Sequence, residues 1–203
     1  MMERLASPSG PTGGVIQRPS DGAVVKNIAF IQCAGSRDEN HLPYCSSICC
    51  LASLKQSTYL LDADPEAKAT IFYIDIRALG KYEDFFVKAQ ANERLTLIKG
   101  KAGEITEDPQ TGAVTVQVED QSTGKILKQQ FDLVVLATGM VPTASGDKAP
   151  AEVAYDDNGF ILAEQATSGL IGAGCARRPS DVATSVQDAT AAALKAIQAT
   201  FRR

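Results

Sequence analysis

Four of the chain's five cysteines, Cys33, Cys45, Cys49 and Cys50, fall within eighteen positions. Their spacing is Cys-x11-Cys-x3-Cys-Cys. Read as part of one helix, Cys45 and Cys49 stand a turn apart on the same face, and Cys50 follows directly. Cys33 closes an apolar run (Ile28, Phe30, Ile31) short enough to be a buried strand, so its thiol can point at that helix's N-terminus. Four thiolates converging there suit an iron–sulfur cluster, and the helix dipole favours anionic sulfur. A structural zinc is the nearest rival, although zinc sites usually draw on two cysteine knuckles and only one is present. The third reading is inert packing, since unpaired cysteine is among the most buried residue types. Spacing alone leaves all three open.

These thiols need a scaffold, and the flanking pattern describes one. A strand at 27–32 leads into the cysteine turn and then into a helix over roughly 45–61, broken by Asp62, Asp64 and Pro65. ATIFYIDIR (69–77) reads as a second strand, KYEDFFVKAQ (81–90) as a helix with Phe85, Phe86 and Ala89 on its apolar side, and LTLIKG (95–100) as a third strand. This alternation predicts a parallel sheet with right-handed crossovers. From Ala102 to Phe131 the pattern becomes a meander of hairpins, turning at Asp108–Gly112 and at Ser122-Thr123-Gly124. FDLVVLA (131–137) is a continuous apolar run and so predicts a buried strand. GFILA (159–163) and GLIGAG (169–174) read as two further short strands. A last helix runs from Ser180 or Asp181, as N-cap, to Phe201, with Val182, Val186, Ala189, Ala193, Ile197 and Thr200 as its buried face. SPSGPTGG (7–14) and RPSDG (18–22) are turn-rich, so the chain is expected to open on a linker, as a piece of something longer.

Composition narrows the chemistry. The 203 residues carry a net charge of −4, which argues against nucleic acid as a partner. No apolar run of about 18 residues exists, so nothing is expected to insert into a membrane. The N-terminal stretch lacks an apolar signal core, so the expected location is cytoplasmic, and the cysteines read as metal or redox chemistry rather than a disulfide frame. Neither a G-x-G-x-x-G nor a P-loop lysine motif occurs; Cys33-Ala-Gly35-Ser keeps one glycine of the fingerprint, and Asp75 sits where a ribose-binding acid would. There is no Ser/His/Asp set, and no catalytic residue is assigned. His41, the only histidine, is either an alternative ligand or an exposed loop residue. Arg37 and Asp38 form an ordinary loop pair or donate to cluster sulfur; Asp75, Arg77, Lys81 and Tyr82 mark a docking face or a solvated one.

FDLVVLATGMVPT followed by GLIGAGCARRPSDVATSVQDATAAALKAI resembles the C-terminal half of a flavoprotein of the thioredoxin-reductase type. More closely, ERLASPSGPTGG, RPSDG, FIQCAGSRD, YCSSICC and YIDIRALGKYEDFF resemble the A subunit of heterodisulfide reductase and its relative in the quinone-interacting membrane-bound oxidoreductase. This resemblance covers nearly the whole chain. It implies an α/β fold: a Rossmann-like parallel-sheet domain with a β-meander (26–138) after an entry segment (1–25), then the C-terminal part of an FAD-binding domain (139–203). It implies an electron-transfer oxidoreductase subunit with FAD and a [4Fe–4S] cluster, working with other subunits of a redox complex in the cytoplasm or peripheral to a membrane complex. Cys33, Cys45, Cys49 and Cys50 fall on the family's cluster-ligand motif. Thr138, Gly139, Gly174, Cys175, Ser180 and Asp181 fall where FAD is bound, with Arg177 and Arg178 adding charge nearby. Cys175 replaces an aspartate common in that group, and the N-terminal FAD fingerprint is absent, so this chain alone is expected to hold FAD weakly or not at all. The competing expectation is a non-catalytic docking module with zinc, or nothing, in the cysteine site.

Overall fold

In the computed structural model, residues 1–149, 152–162 and 170–201 are described. The first half forms α1 (Met2–Ala6), β1 (Asn27–Ile31), α2 (Cys49–Ala63), β2 (Lys68–Tyr73), α3 (Tyr82–Gln90) and β3 (Leu95–Lys99). Then come β4 (Ala102–Glu107), β5 (Val114–Asp120), β6 (Lys125–Phe131), β7 (Leu133–Leu136) and α4 (Val182–Phe201). These divide into two compact units: Met1–Gly35 with Cys49–Thr138, and Ser36–Ile48 with Gly139–Arg203.

The first unit is a four-stranded parallel sheet in the order β3-β2-β1-β7, joined by an antiparallel meander β4-β5-β6. The alternation of β1 sorts its side chains between two faces. Ile28 and Phe30 pack with Leu54, Leu60 and Leu61 of α2 and with Met2 and Leu5 of α1. Ala29 and Ile31 pack on the opposite side with Phe72, Val116, Val118 and Phe131. A strand covered on both faces must be apolar throughout, which is why this run is continuous. Phe72 and Phe131 meet edge to face at 5.9 Å. The start of β1 is tied to β7 by one carboxylate: Asp132 Oδ2 accepts the N–H groups of Lys26 at 2.9 Å and Asn27 at 2.8 Å.

The expected β-α-β-α-β order and the meander are both present, and the fold class is α/β. Five details differ, the last of them in α4. α2 begins at Cys49 rather than 45, because Ser47 has φ +59°, a left-handed conformation that a helix cannot continue through. Cys45 and Cys49 therefore do not share a helix face. β7 is only half buried, since it is the sheet's edge strand and pairs with β1 alone. Within 159–162 there is an isolated Tyr155–Ile161 bridge in place of a strand, and 170–174 is not a strand either. Ala163 and Gly169, the remaining ends of those two expected strands, lie outside the described residues.

The second unit holds the loop 36–48 and α4. Arg37 N–H donates to Tyr44 O at 3.1 Å and Asp38 N–H to Leu42 O at 3.0 Å, closing the loop on itself. Tyr44 packs edge to face against Phe160 at 5.3 Å and donates its hydroxyl to Met140 O at 3.0 Å. Burial raises the Tyr44 phenol above its ordinary value, with the Asp156 charge adding to the effect. α4 has the expected apolar stripe, but that stripe is not buried: Val182 is 77% and Phe201 83% exposed, and Val186, Leu194 and Ile197 are exposed as well. The periodicity was a correct sign of a helix and an incorrect sign of burial. Among the described residues, no helix is long and apolar enough to cross a membrane.

Leu54 is fully buried between α2 and the sheet, whereas Ile126 of β6 is exposed. Leu54→Ala is expected to cost about 2–5 kcal/mol in a urea titration, and Ile126→Ala within about 0.5 kcal/mol.

Candidate functional site

β1 is followed at once by Gln32 and Cys33, and both are buried. Cys33 has φ +55°, a conformation that costs a non-glycine residue free energy and turns the chain sharply off the sheet. Gly35 follows at φ +91°. In the same unit, Cys49 and Cys50 open the first turn of α2, which carries no acidic side chain. The Cys50 thiol donates to Asp75 O at 3.7 Å, just beyond the end of β2. Cys33 and Cys50 thus stand at the carboxyl ends of adjacent parallel strands, the edge of a doubly wound sheet where ligands bind.

Cys45 belongs to the second unit, where its sulfur accepts the Ser47 N–H at 3.3 Å. None of the five cysteines is in a disulfide among the described residues. Nor, among the described residues, do three or more His, Cys, Asp or Glu side chains stand together as a group able to hold a metal ion. The donor set fits a cluster in kind and number. A second observation fits too: the Gln32 side chain is 3% exposed, and neither its nitrogen nor its oxygen has a hydrogen-bond partner among the described residues. A buried amide left so costs about 1–3 kcal/mol, so this end of β1 is built for a polar group.

The residues expected near FAD fall in two places. Thr138 is exposed just after β7, and its carbonyl lies 3.9 Å from where a Gly35 Cβ would stand. Gly139 has φ +103°, and a Cβ on it would collide with Ser36 Oγ and Ser46 Oγ. Ser46 Oγ in turn accepts the Met140 N–H at 2.8 Å. Gly139 is therefore required by its own loop packing, whatever it also binds.

Gly174, Cys175, Ser180 and Asp181 surround the entry to α4. Gly174 opens a 3-10 turn (Gly174–Ala176) at φ +58° and donates its N–H to Asp188 Oδ2 at 2.8 Å, while Asp188 Oδ1 accepts from Arg177 Nη1 at 2.8 Å. The exposed Cys175 thiol donates to Ser180 O at 3.4 Å. Ser180 is buried, its hydroxyl donating to Arg178 O at 3.2 Å. Asp181 caps α4 by accepting the Thr184 N–H at 2.7 Å. A helix's first N–H groups lack partners within it. With Thr184 served by Asp181, those of Val182 and Ala183 have no partner among the described residues and suit the acceptor atoms of a cofactor. Arg177 is tied to Asp188, although its side chain stays 37% exposed. His41 is exposed, and Arg77 pairs loosely with Asp75 at 3.6 Å.

Sequence reasoning missed Gln32, Ser46, Tyr44 and Asp188. A polar residue closing an otherwise apolar strand was the one visible signal, at Gln32. The other three act through partners about 14 to 96 positions away, which no local pattern reveals.

No family model matches the chain. Among curated proteins, it is 39% identical over 210 residues to the second iron-sulfur A subunit of the CoB–CoM heterodisulfide reductase of Methanopyrus kandleri, covering 98% of this chain and 32% of that one. It is 40% identical to the A subunit of the H(2)/formate:CoB-CoM heterodisulfide,ferredoxin reductase of Methanococcus maripaludis, over 95% of this chain and 31% of that one. This chain is homologous to one stretch of heterodisulfide reductase A subunits. It spans about a third of the length of these relatives. Its fold is that of thioredoxin reductases: the enzyme from T. acidophilum superposes with a TM-score of 0.55 at 20% identity, over 87% of this chain and 53% of that one. The Lactococcus lactis enzyme gives 0.54 at 18% identity, over 85% and 52%. The resemblance expected from the cysteine block and the A-T-G strand is thereby shown.

Two outcomes test the local geometry. Gly139→Ala is expected to destabilise the loop 36–48 by more than about 1 kcal/mol, read as faster amide exchange at Arg37 and Met140. Hydrogen bonds from Thr184 hold the Asp181 carboxyl below its usual range, and the Gly174 N–H followed by the Arg177 and Arg178 charges does the same for Asp188. A carboxyl whose folded value lies below its unfolded value of about 3.9 stabilises fully above that pH, and the effect is lost as pH falls through the folded value. Protection of the Gly174 and Thr184 amides is therefore expected to hold at neutral pH and to be lost only as pH falls below the ordinary carboxyl range, with Asp188→Ala removing it at Gly174 alone.

Proposed function

We propose that this chain is the cofactor-holding portion of an electron-transfer oxidoreductase subunit of the heterodisulfide-reductase type. On this reading Cys33, Cys45, Cys49 and Cys50 bind one [4Fe–4S] cluster. Thr138, Gly139, Gly174, Cys175, Ser180 and Asp181 contribute to an FAD site completed by other parts of a longer protein. The observation that carries it is the likeness to iron-sulfur A subunits over 98% of the chain, joined to four thiols of which none is in a disulfide among the described residues.

When bound, such groups supply one-electron transfer. The chain's own residues bind and orient. The first turn of α2 places its N–H groups and dipole beside Cys49 and Cys50, which favours their thiolate form. The Cys33 turn moves a third sulfur off the sheet edge. Cys45 would supply the fourth thiol. At α4, the N–H groups of Val182 and Ala183 favour negative charge, while the Asp181 carboxylate keeps the helix capped. The partners on this reading are the other subunits of a redox complex, in the cytoplasm or peripheral to a membrane complex. The alternative is a docking module in which zinc, or nothing, fills the cysteine site.

Iron, zinc and acid-labile sulfide in anaerobically prepared protein decide between them. About four iron and four sulfide per chain are expected, lost in Cys49→Ser. Stoichiometric zinc, or no metal at all, would replace the electron-transfer reading with the docking one.

A further inference from the structure

Gln32 follows directly on the apolar run of β1 and is the one buried polar side chain whose hydrogen-bonding atoms all lack partners among the described residues. Its backbone is secured, since its N–H donates to Phe72 O at 2.9 Å. Its side chain is what stands unexplained. Strand alternation puts Gln32 on the face of Ile28 and Phe30, the face that α2 covers. In height it lies at the carboxyl end of the sheet, because Ile31 is level with Phe72 and Gln32 is one step beyond. Cys33 adjoins it in sequence, and Cys50 bonds to Asp75 at the end of the neighbouring strand. Cys33, Cys50 and one buried carboxamide, unpartnered among the described residues, thus lie toward the same end of the sheet.

We propose that the Gln32 side-chain NH2 donates a hydrogen bond to sulfur, either thiolate or inorganic sulfide, of the iron–sulfur group held by the cysteine loop. This rests on the cluster reading above and deepens it. A leucine or methionine would fill the same space without the cost of burying an amide, so the apolar strand gains nothing from glutamine at this position. An amide beside anionic sulfur does have a use. Its N–H dipole stabilises the extra electron of the reduced cluster, and hydrogen bonds to the sulfurs are among the features that set cluster potential. Gln32 is in this sense a positioning and tuning residue, not a ligand.

The test uses the full 203-residue chain, purified anaerobically and reconstituted with ferrous iron and sulfide, as wild type and as Gln32→Met. Three quantities are read: iron and sulfide content, the midpoint potential from an EPR-monitored redox titration, and the urea stability of the metal-free protein. Expected are an unchanged iron content, a midpoint shifted to more negative potential in Gln32→Met, and a metal-free variant at least as stable as wild type. An unshifted midpoint in a loaded variant overturns the role of Gln32 while leaving the cluster reading intact. Wild-type chain that takes up no iron or sulfide overturns both. If Gln32→Met does not fold, Gln32→Leu decides: it removes the donor without adding charge, so a more negative midpoint supports the proposal and an unshifted one overturns it.

Discussion

The first unit depends on one short strand being apolar on both sides. β1 pairs with β2 on one edge and β7 on the other, while α1 and α2 cover one face and the meander the second. Nothing polar can be accommodated within that strand without a partner. Chemistry is therefore confined to its end, and the sequence changes character there abruptly, from Phe30-Ile31 to Gln32-Cys33. The same logic fixes the opposite end, where Asp132 binds two consecutive main-chain N–H groups and holds the strand's start beside β7. Apolar burial sets the strand's position, and the polar groups at its two ends set where it starts and stops.

Much of this was legible in the residues. The runs at 28–31, 69–72 and 95–98 declared three strands, and the Phe85-Phe86-Ala89 stripe declared the helix between the last two. Asp108 and Asp120 mark the hairpin turns because their carboxylates accept main-chain N–H groups two residues on. The errors share a cause. Cys45 to Ile48 looked like the first turn of a helix because its side chains suited one, but partners some ninety positions away hold it as a loop. The α4 stripe looked like a core face because amphipathicity says what a surface prefers to bury, not whether something covers it. Gln32 was passed over because a lone polar residue at a strand's end is ordinary until its side chain proves to have no partner.

The comparisons and the geometry carry different weights. Thioredoxin reductases share the fold at about a fifth of identical positions, and a shared fold supports many chemistries. The heterodisulfide reductase A subunits match at about twice that identity along almost the entire chain. The fold supplies a doubly wound edge, and what distinguishes this chain is that the edge carries thiols where a phosphate-binding glycine loop would otherwise stand.

The loop 36–48 is built from the early part of the chain, yet its anchors are late. Ser46 waits for Met140, 94 positions on, and Tyr44 waits for Met140 and then Phe160. At a synthesis rate of about 5–20 residues per second, the loop is in the cell for about 5–20 s before its first distant partner exists. Throughout that interval Cys45 sits in a segment held only by its own main-chain bonds, and β1 in turn still waits for the meander and β7. The loop that carries Cys45 therefore closes on its distant partners only after the polypeptide beyond Met140 has been made.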